Sequence, residues 1–420
     1  MNIIFLAMIM IAFVVAAIHE LFFAPGTMQA LGTQVLAAAG QSVELALGLV
    51  GVMALFLGLM KVAEKGGLLT ILARLMRPLL VRLFPEVPAN HPAMGAMIMN
   101  LAANAMGLGN AATPFGIRAM EHLERLNAQK GTATDAMILF LAINTSSITL
   151  LPTGVIALRT ALGSGNPAGI LPTTLFASLC ATTVAILVAK GCARWYARPP
   201  EPTVSESPDQ NADLEAIEIG QGYPLRVSLL ALALFIGFVV LTVFYGKALA
   251  PWIIPGLVVG LLGFGALRGV PAYEAFIEGA KEGFDVALRI IPYLVAILVA
   301  VAMLRASGAL DWLISPLAVL TTPLGLPADA LPMALLRPLS GSGAYGVMAS
   351  ILADPAIGPD SYTGYLVSTL QGSSETTFYV IAVYAGAIGI RRLRYMLIPA
   401  LCADLAGIAG AVLACRFLYP

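Results

Sequence analysis

Apolar runs of about 20 residues recur along the whole chain, and they constrain its fold more than any other feature. Each run is long enough to cross the hydrocarbon core of a bilayer, which is about 30 Å thick. Charged residues make up only 11% of the 420 residues, against roughly 25% in soluble domains. We therefore predict an all-α polytopic membrane protein with about nine full spans, at 3–22, 43–63, 133–158, 168–190, 227–246, 250–268, 287–305, 362–389 and 395–417.

Composition and motifs argue against several classes of function. The formal net charge is zero, which argues against a nucleic-acid partner. The four cysteines form no CxxC pair and the three histidines are scattered, so no metal site or cofactor is expected. The sequence has no HExxH motif and no Walker loop, and we predict that the chain is not an enzyme. The first run lacks a basic n-region, which indicates an uncleaved first helix.

One polar segment divides the chain into two halves. Residues 194–225 are rich in Pro, Ser and acidic residues, which cannot bury a core. We predict a solvated linker there, between a first half at 1–193 and a second half at 226–420. Short stretches of the halves match in the same order, for example 144–149 with 371–376. An amphipathic stretch at 272–285 is predicted to form a helix lying in the membrane interface.

Basic residues indicate that the two halves have opposite orientations. Seven Lys or Arg residues lie between Glu64 and Lys130, whereas the matching stretch at 306–362 holds only Arg337. Lys and Arg concentrate on the cytoplasmic side of membrane proteins. We therefore predict two inverted-topology repeats in the cytoplasmic (inner) membrane, with the N-terminus and the linker in the cytoplasm and the C-terminus outside.

Polar and Gly-rich stretches interrupt the apolar runs at matching positions in the two halves. Irregular backbone at membrane depth is tolerated only where it is buried in protein or lines a cavity. We predict a re-entrant helical hairpin in each half, with turns in 100–114 and 337–346, and a broken transmembrane helix in each half, interrupted at 144–149 and 371–377. The alternative is that these small and polar residues only mediate helix packing.

Glu375 is the single residue that points most strongly to function. An acid at mid-membrane costs roughly 2.5–3.5 kcal/mol on insertion scales, so Glu375 is expected to be protonated, paired or holding a cation. Arg337 of the opposing hairpin is the expected partner, in a pair that is either structural or part of coupling or solute binding. Asp404 is a second acid, in the last span, and we interpret it as structural because its neighbours in sequence are not a broken stretch.

Three motifs resemble known families. The run from Asn100 to Glu121 resembles the signature of spore maturation protein A, and the runs that begin Arg337-Pro-Leu-Ser-Gly-Ser-Gly and Gln371-Gly-Ser-Ser-Glu-Thr resemble spore maturation protein B. The chain thus looks like a natural fusion of the two families, which carry the nucleoside-recognition or Gate domain. That domain is similar to the core of concentrative nucleoside transporters. The resemblance implies a solute site lined by Asn100, Asn104, Asn110, Asn144, Ser146, Ser147, Ser340, Ser342, Gln371, Ser374 and Glu375.

The function expected from these features is that of a secondary transporter, which binds and translocates a small polar solute at the interface of the repeats. Glu375 is the expected coupling or solute-ordering group, and either a proton or Na⁺ is compatible with that role. The first alternative is a non-transporting membrane receptor or assembly factor of the spore maturation type. The second is an intramembrane enzyme acting on a lipid-linked substrate. Expected partners are the solute, the lipid bilayer and further copies of the chain in a homo-oligomer.

Overall fold

Helices and turns make up the described part of the chain, together with one isolated β-bridge between Thr132 and Arg392. The structure, a computed structural model, describes residues 2–23, 25–196 and 222–420, so most of the predicted linker lies outside the described residues. The helices in these ranges are α1 Asn2–Phe22, α2 Thr27–Lys65, α3 Leu68–Leu83, α4 Pro92–Ala105, α5 Gly109–Leu126, α6 Asp135–Thr145, α7 Thr153–Ala161, α8 Leu171–Trp195, α9 Leu225–Leu267, α10 Ala272–Ala306, α11 Ala309–Thr321, α12 Leu331–Leu336, α13 Gly341–Leu352, α14 Tyr362–Gly372, α15 Thr377–Ala387 and α16 Leu397–Leu418.

The helices of the two halves follow the same order. The series α2–α8 and α10–α16 each begin with a helix of 39 or 35 residues and end with one of 25 or 22 residues. Between them lies a pair of short helices, α6 with α7 and α14 with α15, which have 9 to 11 residues each. An 11-residue helix is about 16 Å long, roughly half the thickness of a hydrocarbon core. Each pair therefore has the dimensions of one span broken near its middle.

Helices α2 and α10 pack antiparallel. A Cβ atom on Gly283 of α10 would lie only 2.7 Å from the Cα atom of Ala54 in α2. Further along, Lys61 of α2 forms an ion pair with Glu282 of α10 at 3.2 Å. Small residues permit such close approach of helices in membranes. The end of α2 therefore lies beside the start of α10, and the two helices end at opposite ends of the pair.

A second antiparallel pair is formed by α8 and α16. A Cβ atom on Gly410 of α16 would lie 3.1 Å from the Cα atom of Ala177 in α8. At the other end, the rings of Tyr196 and Tyr395 are 5.0 Å apart between centroids. The end of α8 thus lies beside the start of α16.

A single bent helix, α9, contains two of the predicted spans. Its 43 residues would form a straight helix about 65 Å long. However, the amide of Tyr223, just before α9, donates to the carbonyl of Arg74 at 3.2 Å, and Gly265 near its end lies against Val62. Arg74 and Val62 are only 12 residues apart, so α9 bends back on itself, and the prolines within it, 251 and 255, account for the bend. The predicted spans 227–246 and 250–268 lie on its two arms.

The prediction of a separate interfacial helix at 272–285 is wrong. Helix α10 runs without interruption from Ala272 to Ala306 and includes the predicted span 287–305. The charged residues that suggested an interface instead pair with α2, because Lys65 binds Glu278 and Lys61 binds both Glu278 and Glu282. The helix continues through the polar stretch because these ion pairs hold it against α2.

Six helical segments in the described ranges are long and apolar enough to cross a membrane. They are Phe5–Phe22, Thr27–Lys65, Pro167–Trp195, Leu225–Gly246, Ala272–Ala306 and Leu397–Leu418. The other predicted spans fall on the second arm of α9 and on the two pairs of short helices. The chain is therefore an integral membrane protein.

Candidate functional site

The two helix breaks touch each other. The backbone amide of Glu375 donates to the carbonyl oxygen of Thr145 at 2.9 Å. Thr145 is the last residue of α6, and the final carbonyls of a helix have no partner within it. A Cβ atom on Gly372, at the end of α14, would lie 3.1 Å from the Cβ atom of Pro152. One break thus caps the helix end at the other.

The hairpin formed by α4 and α5 lies against the break between α6 and α7. The side-chain amide of Asn104 donates to the side-chain oxygen of Asn144 at 2.8 Å. Gly107 in the turn has a φ of +76°, and a Cβ atom there would lie 3.1 Å from the carbonyl oxygen of Leu151. A glycine is needed here because the backbone is left-handed and the break approaches closely.

The hairpin formed by α12 and α13 lies against the break between α14 and α15. Arg337 in its turn is only 7% exposed. The guanidinium donates to the hydroxyl of Thr376 at 2.9 Å and to the carbonyl oxygen of Ser374. The amide of Phe378 in turn donates to the carbonyl oxygen of Pro338 at 3.0 Å. Each hairpin turn therefore contacts the break of its own half.

Arg337 and Glu375 lie close in the fold but form no salt bridge among the described residues. The guanidinium donates hydrogen bonds to a backbone carbonyl and a hydroxyl of the break, whereas the Glu375 side chain is exposed. A helix break leaves carbonyl oxygens without partners, and a buried arginine can satisfy them. Arg337 therefore binds the break instead of forming the expected ion pair with Glu375.

Three other predicted site residues form hydrogen bonds within the fold, although the side-chain oxygen of Asn100 is buried and has no partner among the residues that the structure describes. Asn100 donates to the carbonyl of Ala112 at 2.7 Å and to the hydroxyl of Tyr384 at 3.2 Å, which joins α4 to α5 and to α15. The hydroxyl of Ser146 donates to a carbonyl of its own helix. The hydroxyl of Ser340 accepts from an amide of α13 and caps that helix.

The remaining predicted residues differ in the exposure and the hydrogen bonding of their side chains. The hydroxyl of Ser147 and the side-chain oxygen of Gln371 are buried and have no hydrogen-bond partner in the described part of the chain. Ser342 is exposed. The side chain of Asn110 lies outside the described residues. Among the predicted site residues, buried side-chain atoms without a hydrogen-bond partner thus occur at both breaks, on Ser147 and Gln371, and on Asn100 of α4.

Asp404 lies against the second break, although its neighbours in sequence are not a broken stretch. Its carboxylate accepts from the hydroxyl of Thr377, the first residue of α15, at 2.8 Å. It also lines a cavity of about 10 Å³ together with Arg337, Ser373 and Ser374. Neighbours in sequence are a poor guide in a helix, since they face other directions. The informative signal was the position of Asp404 in the last helix of its half.

A larger cavity of about 860 Å³ lies between the α2–α10 pair and the ends of α7 and α13. Its polar lining includes Gln34, Gln41 and Glu44 of α2. Arg305 of α10 and Asp354, just after α13, also line it and form an ion pair at 2.8 Å. The long antiparallel pair is therefore only loosely packed against these helices at this end.

Comparison with known proteins gives concordant matches. The family model described as Gate, nucleoside recognition, matches residues 46–162 and 287–391, just over half of the chain. Spore maturation protein B of Bacillus subtilis (strain 168) is 43% identical over 166 residues, which cover 40% of this chain and 92% of that protein. Spore maturation protein A of the same organism is 47% identical over 163 residues, which cover 39% of this chain and 83% of that protein.

Among solved structures, one similar chain is a variant of CNTnw, a concentrative nucleoside transporter, in an outward-facing state. The comparison has a TM-score of 0.47 and 16% sequence identity, and it covers 98% of this chain and 90% of that chain. The family assignment rests on the match to the family model and on the two curated relatives. The chain belongs to the Gate family of nucleoside-recognition proteins.

Proposed function

We propose that the protein binds a small polar solute where its two broken helices meet and translocates that solute across the membrane. The observation that carries this proposal is the contact of Glu375 with Thr145, which brings both breaks and both hairpin turns to one place. Buried polar atoms without a protein partner, on Ser147 and Gln371, supply hydrogen bonds for a solute. Half-helix ends at such breaks add backbone donors and acceptors.

The proposal includes two inverted repeats at 1–193 and 226–420. It is supported by the shared helix order and by the antiparallel pairing of α2 with α10 and of α8 with α16. Gly67 and Gly308, with φ of +83° and +76°, start α3 and α11 at opposite ends of the α2–α10 pair. Reporter tags inserted after these glycines are expected in opposite compartments, and tags in one compartment would contradict inversion.

The orientation in the membrane follows from basic residues. Lys65, Arg74, Lys190 and Arg394 lie towards the same end of the bundle, since Lys190 bonds to the end of α3 and Arg394 lies at the start of α16 beside the end of α8. The excess of basic residues in cytoplasmic segments assigns this end to the cytoplasm, with the N-terminus and the linker, and the C-terminus to the outside. The membrane is then the cytoplasmic (inner) membrane.

Translocation needs one part of the molecule to move against another. The scaffold in this proposal consists of α1, α9 and the start of α10, and the hairpins and broken helices form the moving core. The cavity of about 860 Å³ between α10 and the ends of α7 and α13 gives the core room to slide or rock. A proton or Na⁺ drives the movement, and exposed apolar residues of α9 provide a surface for a homo-oligomer.

The decisive experiment combines ligand screening with uptake. A thermal-shift screen of the purified protein against nucleosides, amino acids, peptides and anions identifies a solute, because binding stabilises the folded state. Uptake of that solute into reconstituted vesicles is then compared for the wild type and Glu375→Gln. Loss of uptake with unchanged thermal stability is expected. Equal uptake by both proteins would refute the role of Glu375 as a coupling or solute-ordering group.

The similarity to spore maturation proteins A and B favours a second candidate, a membrane receptor or assembly factor that does not transport. Such a protein would use the same meeting point of the breaks to sense a ligand. It would show a thermal shift with that ligand but no uptake into vesicles at any pH or Na⁺ gradient. The two measurements together therefore separate the candidates.

A further inference from the structure

In each half, the last helix forms a hydrogen bond with the break of that half, but the groups involved differ. Helix α8 runs beside the first break, where the hydroxyl of Thr182 donates to the carbonyl oxygen of Ser146 at 2.6 Å. Helix α16 runs beside the second break, where Asp404 accepts from the hydroxyl of Thr377 at 2.8 Å. A neutral hydroxyl is sufficient to tie the first break to its neighbouring helix. The second half carries an ionisable group at this position, although a neutral group would be sufficient to tie the helix to the break.

Asp404 and Arg337 face each other across a very small cavity. The residue Asp404 is 9% exposed and Arg337 is 7% exposed, and both line the cavity of about 10 Å³. A cavity of this size holds about one water molecule. The Nε atom of Arg337 is buried and has no hydrogen-bond partner among the described residues. No salt bridge within 4 Å joins the two side chains there, so their charges are only partly compensated.

Arg337 is the one charged group that shares this cavity with Asp404 within the described ranges. From α14 the cavity receives Leu370, and the break adds Ser373 and Ser374. From α15 the contact is the hydroxyl of Thr377. Towards α6 and α8, the residue next to Asp404, Ala403, packs among buried alanines. Glu375 lies on the same break, but its side chain is exposed and does not line the cavity.

We propose that Asp404 is a proton-binding site whose affinity for the proton is set by its distance from Arg337. Burial favours the neutral acid, and a nearby guanidinium favours the carboxylate, so the separation of the two groups decides the balance. Arg337 lies in the turn between α12 and α13, which also holds Ser340, whereas Asp404 lies on α16. A shift of the hairpin turn relative to α16 therefore takes up or releases one proton.

This inference rests on the proposed function for its purpose, since proton binding at Asp404 would couple hairpin movement to a proton gradient. It deepens that proposal by assigning the coupling ion to the proton and its site to Asp404. Solute contacts at the hairpin turn would then alter the proton affinity of Asp404 through Arg337. By linkage, protonation of Asp404 would change the affinity for the solute by the same factor.

The test measures the proton directly and needs no solute. Infrared difference spectra of the full chain in lipid vesicles are recorded between neutral and acidic pH, and the C=O stretch of protonated carboxyl groups is followed. We expect a band that is absent in Asp404→Asn and present, at a shifted frequency, in Asp404→Glu. Asn keeps the size of the side chain and an oxygen that accepts from Thr377, so the fold is preserved, and the thermal stability of each variant checks this.

A second variant tests the link to the arginine. In Arg337→Gln the midpoint pH of the Asp404 band is expected to move relative to the wild type. An unchanged band in Asp404→Asn, or an identical midpoint in Arg337→Gln, would overturn the proposal. Failure of solute uptake with the Asp404 band intact would instead count against transport alone.

Discussion

The guanidinium of Arg159 forms an ion pair with Asp360 at 2.9 Å, which joins the end of the first broken helix to the start of the second. A reciprocal pair, Arg394 with Asp135 at 2.7 Å, joins the region after the second broken helix to the start of the first. Each half thus supplies one arginine and one aspartate to the other. The two broken helices are clamped to each other at both of their outer ends as well as at their central breaks.

Removing the charge of Asp360 is expected to destabilise the protein, because Arg159 is fully buried. The guanidinium has further partners in the carbonyl of Pro359 and the ring of Tyr365, but Asp360 is its counter-charge. Asp360→Asn removes the counter-charge of this buried cation, and because the Asp360 side chain is 44% exposed the cost in unfolding free energy is expected to stay below the roughly 3–5 kcal/mol of a fully buried pair. The melting temperature in detergent measures this loss.

The matched control for that substitution is Asp329→Asn, which changes an exposed aspartate near the same end of the bundle. Its melting temperature is expected to stay within error of the wild type. Equal melting temperatures for Asp360→Asn and Asp329→Asn would show that the buried guanidinium does not depend on its counter-ion.

Close packing of α2 on α10 predicts that two Gly→Ala substitutions change the free energy of unfolding in opposite directions. Gly283→Ala places a methyl group 2.7 Å from the backbone of Ala54, and overpacking of this kind costs about 1–3 kcal/mol. Gly51→Ala on α2 meets nothing within 4 Å and removes a helix-destabilising glycine, which gains up to about 1 kcal/mol. Thermal unfolding of both variants checks the prediction, and a stabilised Gly283→Ala would contradict the close helix contact.

The positions of the interruptions between helices were predictable because the residues there are unlike those of an uninterrupted membrane-spanning helix. Clusters of Asn, Ser and Gly inside apolar runs mark backbone that leaves the helix, and both predicted breaks coincide with gaps between short helices. The mutual contact of the breaks, through the amide of Glu375, could not be read from the chain. It depends on backbone atoms, which every residue carries, brought together by packing.

Side-chain pairing was less predictable than backbone form. Complementary charge suggested that Arg337 pairs with Glu375, but a guanidinium can also satisfy the carbonyl oxygens that a break exposes, and here it does. The contact of Asp404 with the second break was not predicted because its partners lie on α15 and in the turn before α13, 27 or more residues away in sequence. Contacts at that separation depend on helix orientation, which periodicity alone does not specify.

Asn104 is expected to matter for solute binding, and Ser342 is not. Asn104 links the first hairpin turn to the first break through Asn144. Asn104→Ala removes this hydrogen bond, which contributes about 0.5–1.5 kcal/mol to the stability of the fold, and it also removes a polar side chain from the candidate site, so the affinity for the solute is expected to fall. Ser342→Ala changes an exposed hydroxyl with no protein partner among the described residues. Titration of thermal shifts with the identified solute compares both, and equal affinities would remove Asn104 from the site.

Acid should destabilise the base of the first hairpin through His122. This side chain is 6% exposed and its ring lies 6.2 Å from that of His91. Burial, followed by the charges of Arg125, His91 and Arg118, lowers the pKa of His122 to about 4. An unfolded histidine titrates near a pKa of about 6.5. Between these two values the unfolded chain binds a proton that the folded protein excludes, so the free energy of unfolding falls as pH drops through this window.

The loss attributable to His122 is about 1–3 kcal/mol at pH values near the lower end of that window. Melting temperatures of the wild type and of His122→Asn are compared across the window, so that carboxylates common to both proteins cancel. The wild type is expected to lose more stability on acidification than the variant, because only its unfolded state gains a proton at this position. Parallel pH profiles would mean that His122 is protonated in the folded protein despite its burial among arginines.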